Sequence, residues 1–139
     1  NYLPFKLLFC YLGVFMKSKK QFVDMFSALD SQGIHGLFPY LNDDVRFRFS
    51  SYPEVTGHQA IKALWEEMST SVTKLQHRLD ETFIHDNVIS CYGLVTYHLQ
   101  NGQQISAPFA NRFVINNDKI SEYHIYVDAS AVLGIAPVA

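Results

Sequence analysis

The second half of the chain contains four long segments in which apolar and polar residues alternate. They cover residues 74–84, 88–99, 103–116 and 120–128, and the short turn sequences HDN, QNGQ and NNDK separate them. Alternation with a period of two predicts β-strands, and connections this short join antiparallel neighbours. The sequence therefore predicts a meander of long antiparallel strands whose apolar face must be covered by another part of the chain.

Two amphipathic helices and one short strand precede the meander. The segment KKQFVDMFSALDSQG has Phe22, Val23, Phe26 and Leu29 at helical spacing. We expect this helix to end at Gly33. The segment TGHQAIKALWEEM begins with Thr56 three residues before Gln59, the spacing of a capping box. The segment DDVRFRF between them alternates as a strand does. Helices followed by strands predict an α+β domain in which helices cover one face of a strongly curved antiparallel sheet.

The first sixteen residues differ from the rest in composition. The segment NYLPFKLLFCYLGVFM is apolar except for Lys6 and is shorter than the roughly 20 residues that span a bilayer, so no stable membrane insertion is expected. It is interpreted as the remnant of a secretory signal, as an upstream extension, or as a helix packed on the body or on a second subunit. We favour an extension over residues 1–16 that packs on a single domain over residues 17–139.

Composition excludes several classes of function. The net charge of −2 gives no basic footprint for nucleic acid. Cys10 and Cys91 form neither a disulfide framework nor a metal-binding pair, which favours a reducing, cytoplasmic compartment. The six histidines lack the spacing of metal ligands, and no serine or cysteine nucleophile motif is present. The sequence therefore predicts neither a metal nor any other cofactor.

Four polar residues lie on predicted apolar faces. His77 lies between Leu75 and Leu79, Asn111 belongs to the apolar face of QQISAPFANRFVIN, and Asp30 continues the buried stripe of the first helix. His98, on the strand VISCYGLVTYHL, is a less certain fourth candidate. Taken singly, each is more often a structural residue with a satisfied hydrogen bond. Taken together they favour a polar-lined pocket, because burying each one alone would cost free energy.

Acid–base chemistry is the reaction class that these residues leave open. An aspartate beside a histidine orients the ring and fixes its tautomer, so that His77 paired with Asp30 could accept a proton near neutral pH. Asn111 or His98 could hold an oxygen on which charge develops. The aromatic residues expected to line the pocket are Phe26, Phe49, Trp65, Tyr92, Phe109 and Phe113.

The order of these elements resembles the nuclear-transport-factor-2-like, or SnoaL-like, cone fold. The resemblance covers residues 18–133 and rests on NDDVRFRF, TGHQAIKALW and the closing NNDKISEYHIYVDASAVL. The fold implies a small-molecule pocket and often a homodimer, but it hosts isomerases, dehydratases, cyclases, epoxide hydrolases and non-catalytic modules. Against the ketosteroid isomerase pattern, the three key positions fall on Phe49, Phe26 and Asn111, so that chemistry looks absent.

The site pattern is more similar to that of scytalone dehydratase. The segments ALDSQG, LQHRL, VISCYGLVTYHL and FANRF resemble those that hold its active-site Asp, two His and Asn, which fall on Asp30, His77, His98 and Asn111. Two tyrosines and a serine of that enzyme fall on Leu29, Phe49 and Phe109. The resemblance therefore implies a more apolar pocket and a different substrate.

Two functions follow as hypotheses. The first is a cofactor-free lyase or isomerase, dehydratase-like, that acts on a small apolar carbonyl or hydroxy-carbonyl compound. The second is a non-catalytic module of the same fold that binds a ligand or serves dimerisation.

Overall fold

The computed structural model describes residues 18–128 and 130–133. The order of elements is α1 (Lys19–Gln32), two 3₁₀ turns (Gly33–Gly36 and Phe38–Tyr40), β1 (Leu41–Phe49), β2 (Val55–Thr56), α2 (His58–Met68), β3 (Val72–His85), β4 (Val88–Leu99), β5 (Gln104–Asn116), β6 (Lys119–Val127) and α3 (Ser130–Leu133). The predicted extension over residues 1–16 lies outside the described residues.

The six strands form one curved, unclosed sheet in the order β2-β1-β6-β5-β4-β3. Strands β3 to β6 form the predicted antiparallel meander. Strand β1 pairs in parallel with β6, so that Phe47 lies opposite Tyr123, a pairing that the sequence did not predict. The described chain is thus an α+β cone, as predicted.

Helix α1 begins at a capping box that the sequence analysis overlooked. The Ser18 hydroxyl accepts a hydrogen bond from the backbone N–H of Gln21, and the Gln21 side chain accepts one from the backbone N–H of Ser18. The helix ends at Gly33, as predicted, with φ at 71°. Its buried side chains are Phe22, Met25, Phe26 and Leu29. Val23, which we expected on the buried stripe, is 43% exposed.

The capping box predicted at the start of α2 was wrong. Thr56 belongs to β2, and Gly57 occupies the cap position with φ at 88° and makes no side-chain cap hydrogen bond. Ile61 and Met68 of this helix are buried, and Trp65 packs against the core.

The inner face of the sheet packs on α1 through aromatic rings. The ring centroids of Phe22 and Phe113 lie 5.0 Å apart, and those of Phe113 and Tyr123 lie 4.5 Å apart.

No helix among the described residues is long and apolar enough to cross a membrane.

A bulge in β3 sets which residues of β4 share a face with β3. Pairing runs without interruption from His85 opposite Val88 and shifts by one residue between Leu79 and Glu81. At the bulge β4 has Gly93, where a Cβ would collide with the carbonyl oxygen of Arg78. Because a one-residue shift exchanges the two faces of a strand, this bulge decides which side chains of β4 lie beside His77.

Candidate functional site

The last turn of α1 and the middle of β3 meet at a hydrogen-bonded pair. The Nδ1 atom of His77 lies 2.6 Å from Asp30 Oδ1, and the backbone N–H of His77 donates to Asp30 Oδ2 over 2.7 Å. Both carboxylate oxygens are therefore occupied by one residue of β3. The side chains are 10% exposed for His77 and 20% exposed for Asp30, so the pair is shielded from solvent.

This contact fixes the tautomer of His77. A carboxylate only accepts hydrogen bonds, so the nitrogen 2.6 Å from Asp30 must carry the proton. In the neutral ring the other nitrogen, Nε2, then keeps its lone pair. Within the described residues Nε2 has no hydrogen-bond partner, which leaves it available to a ligand.

Two phenylalanines hold the imidazole ring in place. The Phe26 ring lies 4.9 Å from it, centroid to centroid, and the Phe109 ring lies 5.4 Å from it in an edge-on arrangement. Phe26 belongs to α1 and Phe109 to β5, so the imidazole ring packs between the helix and the sheet. Such packing restricts the ring to one orientation and reduces what must be ordered when a ligand binds.

His77 faces a largely apolar pocket on the inner side of the sheet. The pocket is open to solvent, and its empty volume is about 510 Å³ when the open space at its mouth is included. It is lined by Leu29, Ile34, Leu37, Phe47, Phe49, Trp65, Leu75, His77, Val95, Tyr97, Phe109, Asn111, Tyr123, Ile125 and Val127. Apolar walls with a few convergent polar groups are typical of small-molecule sites.

Asn111 supplies an unpaired acceptor in this pocket. The residue is 3% exposed, and its Oδ1 atom is buried without a hydrogen-bond partner among the described residues. Its cross-strand partner on β4 is Cys91, whose thiol pKa is raised by burial to about 12 although hydrogen bonding with Asn111 opposes the rise. A buried acceptor without a donor costs free energy, so a ligand that donates a hydrogen bond to it would be favoured.

Two tyrosines that the sequence analysis overlooked also line the pocket. Tyr97 is 5% exposed and Tyr123 is 1% exposed. Burial raises the pKa of Tyr97 to about 12 and raises that of Tyr123 well above its ordinary value, so both hydroxyls stay protonated. Neither hydroxyl has a hydrogen-bond partner among the described residues. They are the neutral hydrogen-bond donors of the site.

The structure does not bring His98 into the site. Tyr92, Leu94, Thr96 and His98 do share one face of β4, as predicted, but it is the outer one. The Nε2 atom of His98 lies 3.4 Å from Oε1 of the exposed Gln76. If pairing continued from His85 without the bulge, Thr96 would lie opposite His77 and His98 opposite Leu75. The bulge instead places Val95 and Tyr97 there.

The predicted aromatic lining divides into three groups. Phe49, Trp65 and Phe109 line the pocket as expected. Phe26 contacts His77 from behind, and Phe113 belongs to the core beneath the pocket. The expectation for Tyr92 was wrong, because that ring is 43% exposed on the outer face of the sheet. Among residues 18–128 and 130–133, no group of three or more His, Cys, Asp or Glu residues could hold a metal ion.

Solved structures with the same fold differ widely from this chain in sequence. An NTF2-like protein of unknown function from Burkholderia pseudomallei superposes with a TM-score of 0.73 at 15% identity, over 84% of this chain and 95% of that one. TerC, co-crystallised with polyporic acid, superposes with a TM-score of 0.71 at 14% identity, over 79% and 90%. A putative polyketide cyclase from Xanthomonas campestris gives 0.69 at 18% identity, over 81% and 91%.

At the level of sequence, no curated protein matches the chain. The profile of one family does match, over residues 21–123, from the first turn of α1 to the middle of β6. That stretch contains Asp30, His77, Tyr97 and Asn111 and most of the residues that line the pocket. The chain belongs to the family of SnoaL-like domains.

Proposed function

We propose that this protein is a cofactor-free acid–base lyase or isomerase, dehydratase-like, that acts on a small and mostly apolar carbonyl compound. The observation that carries the proposal is the contact of both Asp30 oxygens with His77, which leaves Nε2 free. A base oriented in this way and held in an apolar pocket is what removal of a proton next to a carbonyl group requires.

The reaction needs one proton acceptor and one site for the developing charge. His77 Nε2 takes a proton from the carbon next to the carbonyl, and the electron pair of that C–H bond moves toward the carbonyl oxygen. In an elimination the pair then expels a hydroxyl group, which leaves as water with the proton from His77. In an isomerisation the proton returns to another carbon. Asn111 contributes a polar contact to the bound substrate.

Three of the four positions that resemble scytalone dehydratase support this proposal. Asp30 and His77 are in contact, and Asn111 lines the same pocket as His77. His98 has no part in it, since its ring lies on the outer face. The related structures are consistent with small-molecule chemistry: one holds polyporic acid, one is in complex with trimethylamine, and others are putative polyketide cyclases.

Exchange of substrate protons with solvent provides the direct test. A panel of hydroxy-ketones and cyclic enones is incubated in D₂O with the wild type and with His77→Ala, and NMR follows loss of the proton next to the carbonyl. We expect the wild type to accelerate exchange of at least one compound and His77→Ala to lose about a hundred- to ten-thousand-fold of that rate. His77→Ala should still bind the compound, because apolar walls supply most of the contact.

A non-catalytic ligand-binding module is the second candidate, and the apolar lining of the pocket favours it. Such a module would bind a panel compound with no acceleration of exchange by the wild type. The single tryptophan of the chain, Trp65, lies in the pocket wall, so that its fluorescence reports binding independently of turnover.

We also infer that the chain forms a homodimer through the outer face of the sheet. Phe83, Tyr92 and Tyr126 are 56%, 43% and 50% exposed on this face, and the rings of Phe83 and Tyr92 contact each other at 6.0 Å. Exposed aromatic clusters are typical of protein interfaces. Sedimentation analysis should give a dimer for the wild type and a monomer for Tyr92→Lys, and a monomeric wild type would contradict the inference.

A further inference from the structure

The pocket has polar groups at two well-separated positions, His77 with Tyr97 at one and Asn111 at the other. His77 and Tyr97 belong to neighbouring strands: Tyr97 lies opposite Leu75, two residues along β4 from Val95, which lies opposite His77. Diagonal neighbours of this kind have Cα atoms about 7–8 Å apart, within reach of a tyrosine hydroxyl. The register therefore places the Tyr97 hydroxyl within reach of the proposed base.

Asn111 lies elsewhere on the inner face. It is on β5, so that β4 separates it from His77, about 10 Å in strand spacing alone. It is also four residues further along β5 than Ala107, which lies opposite Val95. Apolar side chains, with Phe109 among them, line the pocket between the two positions. A ligand that uses both positions must carry two polar groups with an apolar body between them.

The two positions demand opposite hydrogen-bonding groups. The buried Oδ1 of Asn111 only accepts, so its partner must be a hydroxyl or N–H of the ligand. The Tyr97 hydroxyl stays protonated and has only apolar neighbours in register, Leu75 and Ile105, so its natural partner is an oxygen that accepts. The carbonyl end of a ligand thus belongs with Tyr97 and the hydroxyl end with Asn111.

The lining also excludes a charged ligand. Within residues 18–128 and 130–133, no Lys, Arg, Asp or Glu lines this pocket. Lys74 lines a neighbouring groove together with Asp30. A carboxylate or phosphate taken into the apolar pocket would lose its hydration without a fixed cation to replace it.

We propose that the pocket binds a neutral hydroxy-carbonyl compound in one orientation, with its carbonyl oxygen on the Tyr97 hydroxyl beside His77 and a distal hydroxyl on Asn111 Oδ1. This rests on the proposed function, because it places the reacting carbonyl at the base. It makes Tyr97 the group that stabilises charge on the carbonyl oxygen, the role that the sequence analysis gave to Asn111 or His98. It makes Asn111 a residue that selects for a hydroxyl group.

Three probes of similar size separate the two contacts. 4-Hydroxyacetophenone carries both groups, acetophenone only the carbonyl and 4-ethylphenol only the hydroxyl. Calorimetric titration of the wild type should give the tightest binding for the compound with both groups. Tyr97→Phe should remove the advantage of the carbonyl, and Asn111→Leu that of the hydroxyl, each by about five- to ten-fold in Kd, as for one neutral hydrogen bond.

Tyr126→Phe is the matched control, because it deletes the same hydroxyl from an exposed ring on the outer face of the sheet. It should change all three dissociation constants less than twofold. Tyr123→Phe deletes the other tyrosine hydroxyl of the pocket, and loss of the carbonyl contribution in that variant instead of Tyr97→Phe would overturn the proposal. So would a wild type that binds none of the probes or gains nothing from the second group. Asn111→Ala repeats the hydroxyl test if Asn111→Leu does not fold.

The binding pattern is independent of turnover. His77→Ala should keep the preference for the compound with both groups while it loses proton exchange. If Tyr97→Phe loses only the carbonyl preference and Asn111→Leu only the hydroxyl preference, but the wild type does not accelerate exchange, the catalytic function is refuted and the orientation stands. If exchange depends on His77 but the two variants do not lose these separate preferences, the orientation alone is refuted.

Discussion

His77 and His98 lie on neighbouring strands, and the sequence made both of them candidates for the same site. One ring is fixed 2.6 Å from a carboxylate between two phenylalanine rings on the inner face. The other lies 3.4 Å from an exposed glutamine on the outer face. The difference between them is a one-residue bulge in β3, and it shows that a chemically suitable residue becomes a site residue only through the register of its strand.

The largest effect expected from this comparison is on proton exchange. His77→Ala should lower the rate of ketone proton exchange in D₂O by about a hundred- to ten-thousand-fold, because it removes the only base among the described residues that line the pocket. His98→Ala, the matched control on the outer face, should change the rate less than twofold. Equal losses in the two variants, measured by NMR on folded protein, would mean that the inner and outer faces do not differ in function.

Asp30→Asn should produce the next largest effect. An amide presents one acceptor and one donor, so it cannot accept both N–H groups of His77. The ring should then move its proton to Nε2, where it can no longer take one from a substrate. We expect a loss of about ten- to a hundred-fold in exchange rate and a change of tautomer in the ¹⁵N NMR spectrum of His77.

The control for this change lies on the same helix. Asp24 is exposed and pairs with Lys20 over 3.1 Å, so that Asp24→Asn makes the same substitution without touching His77. It should leave both the rate and the tautomer as in the wild type. An unchanged tautomer in Asp30→Asn would refute the orienting role of the carboxylate.

Stability at alkaline pH should show how well the Tyr97 hydroxyl on the inner face is shielded from water. Burial raises the pKa of Tyr97 from 10.0 to about 12. Between these pH values the hydroxyl is ionised in the unfolded chain but still protonated in the folded chain. The contribution of Tyr97 to the free energy of unfolding is therefore complete below pH 10 and is lost as pH rises through 12. Two pKa units correspond to about 2.7 kcal/mol. Urea unfolding should show Tyr97→Phe losing less stability than the wild type over this range.

Cys91 gives a second measure of the same property. Its thiol pKa is raised by burial from 9.0 to about 12, so its contribution starts to fall at lower pH than that of Tyr97. Cys91→Ala should remove the loss that begins near pH 9 and keep the later one. Identical pH profiles for the wild type and both variants would show that neither side chain is shielded from water.

The sequence predicted the meander, both helices and the Asp30–His77 pair, because each depends on local periodicity. One helix and one strand place Asp30 and His77 on apolar faces, whichever register the strands adopt. It could not tell the faces of β4 apart, since Ile89, Val95 and Tyr97 alternate with Tyr92 and Leu94 and both sets are apolar. The bulge that decides which of these two sets lies beside His77 follows from contacts between strands. Tyr97 was overlooked for the same reason that His98 was chosen.

Asn111→Leu should give the smallest effect, and its sign is informative. The wild type holds an acceptor without a partner at a site 3% exposed, which lowers stability in the absence of a ligand. An apolar side chain of similar size removes that cost, so we expect the free energy of unfolding to rise by about 1 kcal/mol. Gln76→Leu on the outer face should stay within about 0.5 kcal/mol of the wild type. If Asn111→Leu instead destabilises the ligand-free protein in urea unfolding, Asn111 stabilises the fold, and its unpaired oxygen no longer supports a role in ligand binding.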